Sequence, residues 1–186
     1  MPSNITSAIV FIVNAITSLY LLVLLLRFWM PLLKADFRNP LAQGILRLTS
    51  PLVVPVRRIV PPLGRLDTAT VLVAFVIQTV TVFLLLIIVG QTAGFVPIAV
   101  TAVVKLVVLS VNLFVYAIFI RVILSWVAQG GYNPATAIIT TLTEPVLRPF
   151  RRVLPPMGGF DLSPILAIIL LLATTIVING FKPLGL

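Results

Sequence analysis

Two pairs of adjacent arginines are the side chains best suited to bind a charged ligand in this chain. Arg57-Arg58 and Arg151-Arg152 each lie in a segment that is rich in proline. A guanidinium group presents its N–H donors as a planar fork, which matches two oxygens of a phosphate or a carboxylate. The pairs therefore predict binding to anionic lipid headgroups or to an acidic partner protein. The alternative interpretation is that they only anchor the chain at the membrane surface.

Catalytic chemistry has few side chains to use here. The chain has no histidine and no cysteine, which removes imidazole bases, thiol nucleophiles and the commonest ligands of transition metals. The acidic residues of the whole chain are Asp36, Asp67, Glu144 and Asp161. We therefore predict that the protein is not an enzyme and that it has neither a cofactor nor a metal site.

Four charged residues next to apolar runs form two candidate ion pairs. Arg27 and Arg121 lie at or near the ends of apolar runs, and Asp67 and Asp161 precede the next ones. Because charges within a membrane are usually paired, we predict the pairs Arg27–Asp67 and Arg121–Asp161. The alternative is that each aspartate only caps the helix that follows it.

Lys105 is the one charged residue inside an apolar run. Its long side chain could snorkel to the interface. Alternatively, it marks an ion path through the membrane, because ionisable residues at membrane depth are often functional. Both interpretations of Lys105 stay open at this point.

The charged and proline-rich segment occurs twice. Residues 27–67 align with residues 121–161 without a gap, and 14 of the 41 positions are identical. Most of the identities are prolines, arginines, asparagine, glycine and aspartate rather than aliphatic residues. Chance similarity between apolar segments would match leucine with isoleucine, but it would not match proline with proline. The segment is therefore predicted to be a doubled structural unit.

The elements that must position these residues are membrane-spanning helices. The chain is 60% hydrophobic and 9% charged, whereas soluble domains carry about 25% charged residues. An α-helix needs about 20 apolar residues to cross the hydrocarbon core. We predict an all-α membrane protein with four transmembrane helices at about residues 5–26, 68–89, 97–124 and 162–178.

The distribution of basic residues predicts the orientation of the chain. Residues 27–67 contain seven Lys and Arg residues and residues 121–161 contain four, whereas the turn at residues 90–97 contains none. The positive-inside rule places segments 27–67 and 125–161 in the cytoplasm and both termini outside. Residues 1–93 and 94–186 are then two parallel tandem repeats in a bacterial inner membrane, related by a pseudo-two-fold axis along the membrane normal.

Each cytoplasmic segment is predicted to begin with a short amphipathic helix. Asn39-Pro40 and Asn133-Pro134 are typical helix starts, with asparagine as the cap and proline at the first helical position. We expect the helices to end near Thr49 and Thr143, because prolines follow. Their apolar sides would face lipid or the rest of the bundle. The proline-rich stretches that follow, residues 51–64 and 145–158, are called the first and the second hook.

The spacing of these residues resembles a known family. The first copy has the pattern Arg27-Phe28-Trp29, Asn39-Pro40 and Pro51-x3-Pro55-x-Arg57-Arg58-x2-Pro61-Pro62-x-Gly64-x2-Asp67. This pattern and its second copy resemble the YggT (YlmG-related) family of integral membrane proteins, in its two-repeat proteobacterial form, over nearly the whole chain. The second copy departs from the first at Trp126, three places after the position aligned with Trp29, and at Gly130-Gly131.

The resemblance implies a role in osmotic or ion stress, in division or in envelope organisation, and it supplies no catalytic residues. We expect a non-enzymatic scaffold whose hooks bind anionic lipid or a protein partner. The alternative is an oligomeric ion channel or a modulator of ion transport. A nucleic-acid partner is not expected, because the hooks lack interleaved aromatic residues.

Overall fold

The computed structural model describes residues 4–127, 133–153 and 161–185. Within these ranges the chain forms six α-helices: α1 Asn4–Leu32, α2 Pro40–Arg57, α3 Thr68–Val89, α4 Phe95–Val127, α5 Pro134–Val153 and α6 Ser163–Asn179. No strand occurs in the described ranges, where the β-type pairing is an isolated bridge between Leu63 and Leu66. The all-helical prediction is therefore confirmed for the described residues.

Three helices are long and apolar enough to cross a membrane. They are α1, α3 and α4, with 29, 22 and 33 residues. Helix α6 is also apolar but has 17 residues, which is at the lower limit of about 17 to 25 residues for a spanning helix. Three of the four predicted spans thus have the required length and composition, and the fourth stays a prediction.

A tight turn makes α3 and α4 an antiparallel hairpin. Gly90 follows α3 with a φ of 71°, a left-handed conformation that glycine adopts without a steric penalty. The N–H groups of Gly90 and Gln91 donate to the carbonyls of Ile87 and Leu86, which closes the end of the helix. Helix α4 begins only a few residues later, at Phe95.

The prolines of α2 and α5 do not end these helices. The predicted ends near Thr49 and Thr143 are wrong, because α2 continues to Arg57 and α5 to Val153. Each helix contains two prolines four residues apart, namely Pro51 and Pro55 in α2 and Pro145 and Pro149 in α5. Residues four apart share one side of a helix, and all four prolines are exposed. Carbonyl groups that lose their N–H partner to a proline are therefore on a side where water can bind them.

Helices α2 and α5 bury different kinds of side chain. Helix α2 packs a narrow face of Ala42, Thr49 and Val53 against the bundle, while Leu41 and Leu48 remain exposed. Helix α5 instead buries larger aliphatic residues. The apolar side of α2 is thus free to face lipid, whereas that of α5 forms part of the protein core.

The hydrophobic core follows the 94-residue repeat. One cluster of buried residues includes Leu24, Val53 and Val73, and another consists of Ile118, Leu147 and Ala167. Each residue of the second set lies 94 positions after one residue of the first. The same three helix positions therefore pack together in both copies, so the repeat extends from the polar segment into the spanning helices.

The two copies also contact each other through α2 and α5. Asn39 accepts a hydrogen bond from the N–H of Leu41 at 2.9 Å and so caps α2. Its Nδ2 donates to the carbonyl of Pro134 at 2.8 Å. Asn133 caps α5 in the same way, by accepting from the N–H of Ala135 at 2.9 Å. The starts of the two helices are therefore joined directly.

Candidate functional site

The first copy contains a buried ion pair at one end of the bundle. Arg27 lies in the last turns of α1 and is 3% exposed, and Asp67 precedes α3 and is 5% exposed. The Nε of Arg27 lies 3.5 Å from Oδ2 of Asp67. The structure therefore brings together the two residues of the predicted pair. Asp67 also caps α3, because its Oδ1 accepts from the N–H of Thr70 at 3.4 Å.

Arg27 also connects α1 to α2. Its Nη1 donates to Oγ1 of Thr49 at 2.8 Å and to Oγ of Ser50 at 3.2 Å. The same nitrogen lies 3.4 Å from the carbonyl of Leu46. A buried guanidinium is costly unless its donors are satisfied, and these acceptors from α2 supply the partners that a single carboxylate could not.

A second arginine completes the network around Asp67. Nη2 of Arg57 also contacts Oδ2 of Asp67, so the carboxylate lies between two guanidinium groups. Oγ1 of Thr70 donates to the same oxygen at 2.7 Å. Burial raises the pKa of Asp67, but the hydrogen bonds from Thr70 and Arg57 outweigh it, so that the pKa lies below its ordinary value. The aspartate is therefore held in its ionised form.

The second copy has a related network with one more carboxylate. Nη1 of Arg121 donates to Oγ1 of Thr143 at 2.8 Å, and Nη2 donates to Oε2 of Glu144 at 2.9 Å. Arg151 then joins Glu144, at 3.0 Å, to Asp161, at 2.9 Å. The result is a chain of four alternating charges.

The predicted pair Arg121–Asp161 is not formed in this network. Arg121 contacts Glu144, and Asp161 contacts Arg151. Glu144 occupies the position that Ser50 holds in the first copy. Its longer, charged side chain contacts Arg121 in place of Asp161. The substitution explains why the two copies differ in their ion pairs.

The charges of the second network balance one another. The hydrogen bond from Arg121 lowers the pKa of Glu144 below its ordinary value, and the charge of Arg151 lowers it further. Burial raises the pKa of Asp161, but hydrogen bonds from Ser163 and Arg151 lower it more. Two arginines thus face two ionised carboxylates, whereas the first copy has two arginines and one carboxylate.

One arginine of each predicted pair contacts the carboxylates. These are Arg57, whose side chain stays 41% exposed, and Arg151, at 29%. That they also bind an external ligand stays a prediction. Arg58 and Arg152 are exposed, and neither contacts a carboxylate in the part of the chain that the structure describes. Further exposed cations of the described residues are Lys34, Arg38, Arg47, Arg65 and Arg148.

The first hook ends in a compact turn. Gly64 has a φ of 60°, and the backbone groups of Leu63 and Leu66 pair across it. Oγ1 of Thr68 donates to the carbonyl of Pro61 at 2.7 Å, which fixes this turn against the start of α3. The corresponding predictions for Pro155, Pro156 and Gly158, like the glycines at 130–131, lie outside the described residues.

Lys105 lies toward the other end of the bundle. Its Nζ donates to Oδ1 of Asn14 at 3.0 Å. It lines a cavity of about 670 Å³ together with Gln78, Asn112 and other polar residues. A neutral partner for Lys105 is predicted neither by the interpretation that its side chain snorkels to the interface nor by the interpretation that it marks an ion path. Within the described ranges, no group of three or more His, Cys, Asp or Glu residues is placed to hold a metal.

The sequence did not predict several members of the networks, among them Thr49, Thr143 and Glu144. Thr49 and Thr143 are fully buried and bind the equivalent arginines, and their identity in the two copies was the signal for this role. Glu144 was visible as one of four acidic residues, but its partner depends on how α5 lies against α4. That arrangement is not readable from spacing alone.

The fold and the two networks define a helical membrane protein built from two copies of one arginine-containing unit. The chain belongs to the CCB3/YggT family, whose model matches it twice, over residues 6–88 and 100–181. The two matches coincide with the two copies of the repeat.

Relatives from several organisms extend this assignment. The chain is 43% identical to the Pseudomonas aeruginosa protein PA0392 over 180 residues, which is 95% of this chain and 91% of that protein. It is 35% identical to Escherichia coli YggT over 166 residues, which is 89% of this chain and 86% of that protein. A shorter match of 67 residues, at 39% identity, covers 34% of this chain and 25% of the chloroplastic YlmG homolog protein 2 of Arabidopsis thaliana. No solved structure matches the chain.

Proposed function

We propose that the protein is a non-enzymatic scaffold of the bacterial inner membrane whose two cytoplasmic hooks bind anionic lipid headgroups. The chain would cross the membrane four times, with both termini outside, and would serve envelope or division organisation or the response to osmotic stress. The observation that carries this proposal is the exposure of Arg58 and Arg152 at equivalent positions. Their neighbours Arg57 and Arg151 have carboxylate partners, whereas Arg58 and Arg152 contact no carboxylate of a described residue.

Exposed apolar residues beside the arginines support a surface that meets lipid. Ile59, next to Arg58, is 83% exposed, and Val153, next to Arg152, is 74% exposed. An apolar side chain beside a guanidinium suits the boundary between acyl chains and headgroups. Leu48 and Leu52 of α2 are also exposed on this segment. Basic residues at such a surface each contribute about 1 kcal/mol of attraction to an anionic leaflet.

The absence of catalysis is part of the same proposal. The chain has no histidine and no cysteine. Asp67, Glu144 and Asp161 are engaged by arginines, and Asp36 accepts from the N–H of Arg38 at 2.9 Å. Each of the four carboxylates therefore has a structural partner, which supports a binding role over acid–base chemistry.

A single-cysteine label tests the hook directly. Because the natural chain has no cysteine, Ile59→Cys carries a polarity-sensitive dye at one site next to Arg58. We expect a blue shift of the dye in bilayers with phosphatidylglycerol relative to phosphatidylcholine, and a loss of that shift when Arg58 and Arg152 are both changed to Gln. A dye on Phe95→Cys, at the other end of the bundle, is the control and should not respond. No difference between the two lipids would contradict lipid binding, and recovery of one protein by photo-crosslinking from residue 59 would then favour an acidic partner.

An oligomeric ion channel is the second candidate, and the polar cavity near Lys105 favours it. Beyond this cavity, toward the arginine networks, Leu25, Leu113 and Phe114 form a buried apolar cluster. A pore within one chain would be interrupted there, so the pore would have to lie between chains. The mass of the protein in detergent tests this arrangement, because a monomer would exclude it. Salt-driven flux into liposomes that is lost in Lys105→Gln would favour it.

A further inference from the structure

The cavity beside Lys105 brings several polar side chains together on a largely apolar lining within the helix bundle. Besides Lys105 it is lined by Ser18, Gln78, Asn112, Asn179 and Lys182. Gln78 is 4% exposed, and its amide forms no hydrogen bond with any described residue. Its amide atoms are not among the fully enclosed side-chain atoms that lack a partner, and the residue lines the cavity. A ligand in the cavity can therefore complete its hydrogen bonds.

The charge of the cavity favours an anion. Lys105 has the neutral amide of Asn14 as its hydrogen-bond partner, and no Asp or Glu side chain lines the cavity. The side-chain amides of Gln78 and Asn112 can donate N–H groups to the same ligand. The set matches the oxygens of a phosphate group.

The depth of Lys105 is compatible with a lipid headgroup. If the hydrocarbon region begins near Arg121, its thickness of about 30 Å corresponds to about 20 residues of α4 and ends near Thr101. Lys105 then lies roughly one helical turn inside that boundary. Lys182, which follows α6, also lines the cavity. A phosphate drawn slightly inward from the leaflet would reach the ammonium group of Lys105.

An apolar groove continues from the polar cavity. It has a volume of about 350 Å³ and lies between α1, α2, α4 and α5, with Leu26, Ile45, Ala117 and Ile138 among its lining residues. Leu22 and Tyr116 line both the cavity and the groove. The two spaces therefore adjoin at these two residues. Together they are called the cleft, which has its polar side chains at the end near Lys105.

We propose that this cleft binds one phospholipid, with its phosphate group at Lys105, Gln78 and Asn112 and an acyl chain in the apolar groove. A free phosphate ion would share the polar contacts, but it would leave the groove unfilled. The two volumes, about 670 and 350 Å³, together slightly exceed the upper limit of about 1,000 Å³ that is typical of small-molecule sites. The phosphate contacts at Lys105 lie at the opposite end of the bundle from Arg58 and Arg152, whereas the groove extends to α2 and α5. Binding of the phosphate at Lys105 is independent of lipid binding by the hooks.

Native mass spectrometry of the purified protein in detergent tests the proposal. We expect one phosphatidylglycerol molecule bound to the natural protein, with weaker retention of phosphatidylcholine. Lys105→Gln removes the charge in the cleft and should weaken this binding about tenfold or more. Lys34→Gln removes an exposed charge at the other end of the chain and is the matched control. Equal loss or equal retention of lipid in the two variants would overturn the proposal.

Two further arms identify the ligand and guard against misfolding. Inorganic phosphate in large excess should not displace the lipid, and displacement would assign the site to free phosphate instead. Ala135→Phe fills the groove and leaves every polar group of the cavity in place, so it should also release the lipid. If Lys105→Gln is not monodisperse, the test rests on Ala135→Phe alone. Unchanged lipid retention in Ala135→Phe would then overturn the proposal. Changing both Arg58 and Arg152 to Gln should leave this single lipid bound, which separates it from the lipids of the hooks.

Discussion

Glu144 occupies the position that Ser50 holds 94 residues earlier, and the two side chains bind the equivalent arginine in different ways. Oγ of Ser50 accepts from Arg27 at 3.2 Å, and Oε2 of Glu144 accepts from Arg121 at 2.9 Å. In the first copy the arginine reaches the aspartate directly, at 3.5 Å. In the second copy the glutamate lies between them. One substitution therefore converts a three-charge cluster into a balanced chain of four charges.

The buried aspartate should be the most sensitive member of either network. Asp67→Asn leaves the guanidinium of Arg27 buried without a carboxylate, which should destabilise the protein by about 3 to 5 kcal/mol. Unfolding by SDS in detergent micelles measures this change. Adding Arg27→Gln should recover part of the loss, because the buried charge is removed. Strictly additive effects in this double-mutant cycle would contradict the pair.

The glutamate of the second network should contribute much less. Its side chain is 45% exposed, so solvent screens its ion pairs. We expect Glu144→Ser, which restores the residue found in the first copy, to cost about 1 kcal/mol or less and to cost even less at high salt. The same SDS titration at two ionic strengths measures it. A loss of stability in Glu144→Ser as large as that in Asp67→Asn would show that solvent exposure does not determine how much each carboxylate contributes.

The buried threonines should stabilise the arginines through their hydroxyl groups. Thr49→Val keeps the shape but removes the acceptor for Arg27, and we expect a cost of about 1.5 to 3 kcal/mol because the lost hydrogen bond is charged. Thr143→Val tests the equivalent bond to Arg121. Thr79→Val is the control, since its hydroxyl donates only within its own helix, to the carbonyl of Phe75. Equal costs at Thr49 and Thr79 would rule out a specific role for the hydrogen bond.

Acid should destabilise the protein through both networks. The pKa values of Asp67, Glu144 and Asp161 all lie below their ordinary values. Their stabilising contribution is therefore complete above an ordinary carboxyl pKa of about 4 and is lost as the pH falls through the lowered values. Since the chain has no histidine, stability should stay nearly constant between about pH 5 and 8. Unfolding measured across this range and below pH 4 checks both parts, and a midpoint near pH 6 would contradict them.

Labelling of single cysteines should report the orientation of the chain. Ile59 and Val153 are 94 residues apart and strongly exposed, so Ile59→Cys and Val153→Cys should react with an impermeant maleimide from the same side of the membrane. Phe95→Cys should react from the opposite side. If α6 crosses the membrane, Phe181→Cys should react with the maleimide from the same side as Phe95→Cys. Reaction of Phe181→Cys from the side of the hooks would show that the 17-residue helix does not span.

Much of the fold follows from simple properties of the sequence. The lengths of the apolar runs predict α1, α3 and α4, and Asn39-Pro40 and Asn133-Pro134 predict where α2 and α5 begin. The ends of α2 and α5 could not be predicted from the presence of proline alone. The four-residue spacing of Pro51 and Pro55 was the relevant feature, because it places both rings on one exposed side.

The candidate site was predictable only in part. Arg27 and Asp67 could be paired because each is an isolated charge beside an apolar run. The partner of Arg121 depends on a side chain from α5 that has no charged counterpart in the first copy. Which arginine of each pair contacts a carboxylate depends on the rotation of α2 and α5, and adjacent residues give no indication of it.

The hydrogen bond from Asn39 to the carbonyl of Pro134 bears on how the two halves of a repeated chain can diverge. Its acceptor is a backbone atom, which remains whatever side chain mutation places at that position. The donor half recognises the other half without constraining its side chains. The halves can therefore accumulate different substitutions, such as serine in one and glutamate in the other, while the joint between them persists.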